Sequence, residues 1–358
     1  MEPYNTTEQL METVAQRADD YRVLDRGPAG RPIGVARNVG EGPPILVTAG
    51  AHATEHAGVV AAVELLDRLE TDYPVYVLPT RDPMGVDGFE AALEMASGGP
   101  ATINSYEVAE EHLRMDGYVV VDDTVLVGLI GDYGFGVARP SDGASGSRNV
   151  SNALRNMEGT PEMEQLRGRR IFLLSGHPDV AGTGDFDRLY TRIVSPEGEN
   201  LHLNRYVGSN WAPPESRVVR DLVDSIGPGL FVDLHEYSGD GYWVSTRPKE
   251  EEAAERAERA IGRAMTESVA DAGGDLLPLA EYIDEDPAEH FFTELETGLW
   301  DLDYDVRGEG FNATDYAAEH HGLAFTNETG MHRPFDERVE MAVRAVQRAV
   351  AEFEELEE

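Results

Sequence analysis

The chain has 358 residues, 68 of them Asp or Glu against 29 Lys or Arg, which gives a formal charge of -39 at pH 7, and it contains no cysteine. The missing cysteine excludes disulfides, thiolate metal clusters and a cysteine nucleophile, so any metal must be held by His, Asp and Glu. The charge disfavours DNA or RNA as a partner through repulsion, and its spread over the whole chain predicts a salt-adapted protein, because a Debye length of about 3 Å at 1 M salt screens the self-repulsion.

The N-terminus, "MEPYNTTEQLMETVAQ", has neither a basic start nor an apolar core, so no signal peptide is expected. No apolar run approaches the roughly 20 residues that cross a bilayer, so no membrane association is expected and a cytoplasmic location follows. "PPILVTAG" at 43–50 predicts a buried strand, followed by a helix over about Glu55 to Leu69. Further apolar runs at 74–79, 118–130, 171–174, 229–234 and 322–326 predict strands, and 216–226, 250–271 and 336–357 carry helical periodicity. Strands alternating with helices define an α/β protein with a central mixed, largely parallel sheet. Residues 90–185, with clusters such as "ASGGP" and "SDGASGSRN", are more irregular. They are expected to elaborate one domain spanning 1–358, since the candidate site draws residues from both sides of them.

Four residues stand just beyond predicted strands: His52 and Glu55 in "TAGAHATEHAG", His235 in "FVDLHEYSG" and Glu328 in "LAFTNETG". Carboxyl ends of strands are where ligands collect in such sheets. Two imidazoles and one carboxylate supply the three protein ligands of an open catalytic zinc site, and the remaining carboxylate can act as base on water. His52 and Glu55 are spaced i, i+3 where a loop enters a helix, so both can point at one cation. In an acidic chain a lone His-x-x-Glu arises by chance, and a lone strand-end histidine is more often structural; their joint placement carries the signal.

At these residues the chain resembles the zinc metallocarboxypeptidases, the carboxypeptidase A-like peptidases. That family pairs His-x-x-Glu after a strand with a later histidine in a segment like "HEYS", where His235 is followed by Tyr237 and Ser238. Its Asn-Arg pair matches Asn204 and Arg205 in "NLHLNRY", and its base glutamate matches Glu328 in "FTNETG". Looser counterparts are "TDYAAEHHG" at 314–322 and "DPMGVDGF" at 82–89. The resemblance spans about residues 43–335. It implies a three-layer α/β/α fold and one Zn²⁺ on His52, Glu55 and His235, with Glu328 as general base. It further implies that Asn204 and Arg205 grip the free carboxylate of a peptide or N-acyl amino acid substrate, with Tyr237 and Thr314 in the substrate site. The uncharged Thr314 speaks against a pocket for basic side chains. An oxyanion-stabilising arginine is expected in "DFDRLYTRI" as Arg188, with Arg192 the other choice.

Three departures qualify the resemblance. Where many relatives have an aspartate before x-Asn-Arg, this chain has His202, so ligand orientation must come from elsewhere, with Asp233 a substitute. The family's covering tyrosine has no counterpart at the usual spacing, and Tyr304 is the nearest upstream. The 149 residues from Glu55 to Asn204 also exceed the family's span.

Other readings compete. His-x-x-Glu-His at 52–56 spells a motif in which both histidines bind zinc from one helix, but His52 follows a strand directly and falls in a loop. The aspartoacylase and succinylglutamate desuccinylase branch, which hydrolyses N-acyl amino acids, uses similar residues. A non-catalytic binding module on the same fold is the third alternative. No phosphate-binding loop or serine nucleophile elbow is present. The sequence does not indicate an oligomeric state.

Overall fold

The computed structural model describes all residues except 116–117, 121–123, 141–144, 176–187, 284–289, 309 and 358. From the N-terminus run α1 (Thr7–Arg17), β1 (Asp20–Arg26), β2 (Pro32–Asn38), β3 (Ile45–Ala49), α2 (His56–Arg68), β4 (Val75–Leu78) and α3 (Pro83–Ser97). Then come α4 (Tyr106–Met115), β5 (Tyr118–Val120), β6 (Val125–Ile130), β7 (Tyr133–Ala138), α5 (Gly146–Asn156), α6 (Pro161–Glu164), β8 (Arg170–Leu174), β9 (Leu189–Val194) and β10 (Asn200–His202). The last part contains α7 (Pro214–Ile226), β11 (Leu230–Tyr237), β12 (Tyr242–Thr246), α8 (Glu252–Asp271), α9 (Leu279–Tyr282), β13 (Phe292–Glu296) and β14 (Leu299–Leu302). It ends with α10 (Tyr304–Arg307), α11 (Ala313–His320), β15 (Leu323–Gly330) and α12 (Phe335–Glu357).

Nine strands form the central sheet in the order β1-β2-β4-β3-β11-β15-β12-β14-β13. The sheet is mixed, as expected, but it is not largely parallel. β4, β3, β11 and β15 are parallel neighbours, whereas β1–β2, β2–β4, β15–β12 and β14–β13 pair antiparallel. The connections explain this: parallel neighbours need a crossover such as α2 between β3 and β4, while the short links from β1 to β2 and from β13 to β14 allow only hairpins.

The central strands are buried on both faces. Along β3 and β11, Ile45, Val47, Ala49, Leu230, Val232 and Leu234 pack beneath α1, α2, α8 and α12. The alternate residues Leu46 and Phe231 pack against Val218, Val219, Leu222 and Val223 of α7 and Ala313 and Ala317 of α11. The period of two then fixes the chemistry: Asp233 and His235 follow Phe231 on the α7/α11 face, and Glu328 follows Ala324 on the same side of β15.

A second sheet of six strands, β10-β9-β8-β7-β6-β5, is antiparallel except for the β7–β8 pair. It has its own apolar clusters, one with Phe89, Phe135 and Phe172 and another with Val150, Leu154 and Leu173. The apolar stretch 118–130 splits into β5 and β6, paired antiparallel. Strand pairing in this sheet continues through His202, and the expected end of the elaboration near 185 lies outside the described residues. Among the described residues, no helix is long and apolar enough to cross a membrane.

Candidate active site

The loop leaving β3 turns at Gly50, whose φ of +58° is left-handed, and a Cβ there would come within 2.9 Å of the Thr80 Cα. Glycine is therefore required at this turn. Beyond it, Glu55 stands at the N-cap of α2 without capping the helix, because its carboxylate faces two imidazoles instead. His52 Nδ1 lies 2.6 Å from Glu55 Oε1 and His235 Nδ1 lies 2.8 Å from Glu55 Oε2. The helix N-terminus is satisfied from β11: Ala57 N donates to Glu236 Oε2 at 2.8 Å, and Arg338 donates to the other oxygen at 2.8 Å.

His52, Glu55 and His235 thus converge, with one ligand atom from each lying within 4.8 Å of the others. Each imidazole is steered from behind, an arrangement typical of metal-binding histidines. His235 Nε2 lies 2.9 Å from Asp233 Oδ2 and 3.1 Å from Asn204 Nδ2, and His52 Nε2 lies 2.8 Å from His202 Nδ1. Asp233 is held by Arg81 at 2.7 and 2.8 Å and accepts from Thr48 Oγ1 at 2.7 Å. Burial alone would raise its pKa, yet Arg81 and His235 outweigh burial and hold the carboxyl below its usual range. Glu55 behaves likewise: burial opposes ionisation, but His52 and His235 bring its pKa down to about 2. An ionised carboxylate between two inward-facing nitrogens is a donor set that fits zinc.

Glu328 is the register partner of His235 across the β11–β15 pair. Its Oε2 is buried and has no hydrogen-bond partner among the described residues. Burial pushes its carboxyl up to about 8, with His235 opposing the rise and Glu55, Asp233 and Glu236 adding to it.

Beside this group lies a cavity of about 810 Å³ lined by His52, Glu55, Tyr190, His202 and Arg205, with Arg192, Arg148 and Arg155 also on its wall. Arg205 Nη1 donates to the Asn204 carbonyl at 3.2 Å. Tyr190 stacks on His52 with ring centroids 5.0 Å apart.

Several residues singled out from sequence lie elsewhere. Arg188 is buried, donating to His56 Nε2 at 3.0 Å and to the carbonyls of Val86 and Tyr4, so its guanidinium is held away from the cavity. Arg192 reaches the cavity wall, but Nε donates to Asn200 Oδ1 at 3.0 Å. Asn204 is buried behind His235, its Oδ1 accepting from Arg81 at 2.8 Å and from Ala313 N at 3.3 Å. Thr314 is buried with its hydroxyl 2.9 Å from that of Thr326. Tyr237 lines an adjoining cavity of about 620 Å³, where its hydroxyl accepts from Gly241 N. Tyr304 packs on Phe311, with ring centroids 4.9 Å apart, and is not on the cavity wall, whereas Tyr282 is. His56, the second histidine of the 52–56 motif, is the first residue of α2 and faces Arg188 instead of the cluster.

Sequence reasoning did not give roles to Tyr190, Arg81, Arg148, Arg155 or Tyr282. The one available signal was α5, where Arg148 and Arg155 are seven residues apart and therefore share a helix face.

No family model matches the chain, and no curated protein matches it in sequence. Solved structures do. A candidate metallopeptidase from Shewanella denitrificans superposes with a TM-score of 0.52 at 13% identity, covering 97% of this chain and 90% of that one. Bovine thrombin-activatable fibrinolysis inhibitor, solved with a tick carboxypeptidase inhibitor, gives 0.51 at 11% identity, covering 98% of each chain. A metallo-carboxypeptidase from Pseudomonas aeruginosa bound to (2-guanidinoethylmercapto)succinic acid gives 0.50 at 14%, covering 98% of this chain and 69% of that one. The chain therefore has the α/β fold of metallocarboxypeptidase structures, with a His-Glu-His group that can hold a metal.

Proposed function

We infer that the protein is a zinc-dependent hydrolase that cleaves an amide bond next to a free carboxylate. The observation carrying this reading is the convergence of His52, Glu55 and His235 within 4.8 Å, beside a cavity of about 810 Å³. Zinc held there would lower the pKa of water toward about 7 and polarise a carbonyl.

The chain's own residues supply the remaining functions. Glu328, with its unpartnered Oε2, takes a proton from water and returns it to the leaving nitrogen. Arg205 offers its guanidinium fork to the substrate carboxylate and so positions the scissile bond. Asn204 acts indirectly, bridging Arg81 and His235 so that the second imidazole keeps its orientation. His202 does the same for His52. Arg188 is not part of this reading, because its contacts tie α2 to the N-terminal segment.

Metal analysis and hydrolysis of C-terminally free peptides in molar KCl test the reading. The wild type should bind zinc and turn over peptide, and His235→Ala should lose both. Failure of the wild type to bind any divalent cation overturns the reading. Turnover of N-acyl amino acids alone transfers it to the acylase branch of the fold.

A further inference from the structure

The helix α5, "GSRNVSNALRN", contains no acidic residue. Acids make up 68 of 358 residues, so an 11-residue helix should carry about two. Surface arginines on the other long helices have acidic neighbours: Arg256 pairs with Glu252 and Arg259 with Glu255 on α8, and Arg344 pairs with Glu340 and Arg348 with Glu352 on α12. Arg148 and Arg155 have no carboxylate within ion-pair distance among the described residues, although both line the cavity at the candidate metal group.

Their direction is set by packing. Val150, Ala153 and Leu154 bury the opposite face of α5 against the second sheet. Arg148, Ser151, Asn152 and Arg155, at i, i+3, i+4 and i+7, then form one stripe, and all four line the cavity. Seven residues of helix separate the two arginine Cα atoms by about 10 Å along the axis. Glu158 and Glu199 stand on the same wall, yet among the described residues neither is within ion-pair distance of these two guanidinium groups, which, in a chain of charge -39, leaves both able to receive an anionic group from outside.

We propose that Arg148 and Arg155 form a subsite for a second anionic group, so that the preferred substrate carries two carboxylates, one bound by Arg205 and the other by the α5 face. This rests on the hydrolytic reading above and narrows its substrate class. The second carboxylate belongs either to the released residue or to the acyl part, and the substrates below separate these sources.

The test compares benzoyl-Gly-Glu and succinyl-Gly-Leu, which carry the extra acid on opposite sides of the scissile bond, with benzoyl-Gly-Leu. At least one acidic substrate should exceed the neutral one at least ten-fold in kcat/KM. The double variant Arg148→Ala/Arg155→Ala should shrink that ratio at least ten-fold, mainly through KM, and Arg148→Lys/Arg155→Lys should restore part of it. A wild type without the preference, or a preference unchanged in the double variant, overturns the proposal while leaving the hydrolase reading intact. If no substrate is turned over, the hydrolase reading fails by itself and binding to metal-free protein decides the subsite. Calorimetry should show glutarate binding more tightly than butyrate, with the difference lost in the double variant; equal affinities overturn the proposal.

Discussion

His235 on β11 and Glu328 on β15 face each other in register across a pair of parallel strands. Neighbouring strands lie about 4.8 Å apart, so the spacing between a candidate metal ligand and the candidate base is set by backbone hydrogen bonds, not by a loop. Both side chains rise on the side of the sheet that carries α7 and α11, because each follows in step an apolar residue buried there, Phe231 and Ala324.

Glu328→Gln should therefore retain metal and fold while losing kcat. The expected loss is about 10²- to 10⁴-fold, the range for a positioned general base. Metal content and steady-state rates check it together, and full activity in this variant removes Glu328 from the chemistry.

Asp233→Ala should weaken metal binding by about 10- to 100-fold, since it removes the partner of His235 Nε2. It should also destabilise the fold by about 3–5 kcal/mol, because the buried Arg81 loses its counter-charge. Chelator competition reads the first effect and denaturant unfolding the second. Arg81→Met should produce a similar loss of stability by stranding Asp233.

Glu258 on α8 gives a prediction in pH. It is buried, accepts from Ala324 N at 3.1 Å, and lies 3.5 Å from Lys249 Nζ. Burial raises its pKa from 4.5 to about 7, with Lys249 opposing the rise. The folded protein thus holds a proton that the unfolded chain releases, so the group's contribution is full below pH 4.5 and is lost as pH climbs through about 7. The loss is at most about 3 kcal/mol at 1.36 kcal/mol per pKa unit. Glu258→Gln should flatten the fall in stability between pH 4.5 and 7. Unfolding curves across that window check this, and an unchanged pH profile would contradict it.

The charge of -39 gives a fourth expectation. The melting temperature should rise between 0.05 and 2 M KCl, as the screening length shortens from more than 10 Å to less than 3 Å. A melting temperature indifferent to KCl would count against the proposed salt adaptation.

The parts of the fold and site that sequence disclosed share one property: they lie in single uninterrupted segments. β3 and the beginnings of β11 and β15 are short apolar runs; His52 follows the end of β3, whereas His235 and Glu328 fall inside β11 and β15, two residues before the last strand residue, and not beyond the strands, where the sequence reading puts them. The flanking hairpins and the second sheet were harder to read. β7, "YGFGVA", alternates apolar residues with glycine, and β9, "LYTRIV", carries an arginine between buried residues. Side-chain direction was harder still. Arg188 has the right residue type in about the right place, yet it precedes β9 and reaches His56 at the start of α2, while Tyr190 and Arg192 two and four residues on line the cavity. Thr314 is turned inward by its place in the first turn of α11, onto Thr326. No spacing rule distinguishes these outcomes, because each depends on which layer is packed against that element.

The orientation of His52 comes from outside the sheet that delivers it: its ring is held by His202 at the end of β10 and stacked by Tyr190 of β9. The smaller, six-stranded sheet therefore holds an imidazole delivered by the larger one, one of several contacts between them alongside the Arg170–Glu215 ion pair. Fraying of the smaller sheet would release that ring while β11 and β15 stay intact, so partial heating should extinguish metal retention before amide protons in the larger sheet begin to exchange.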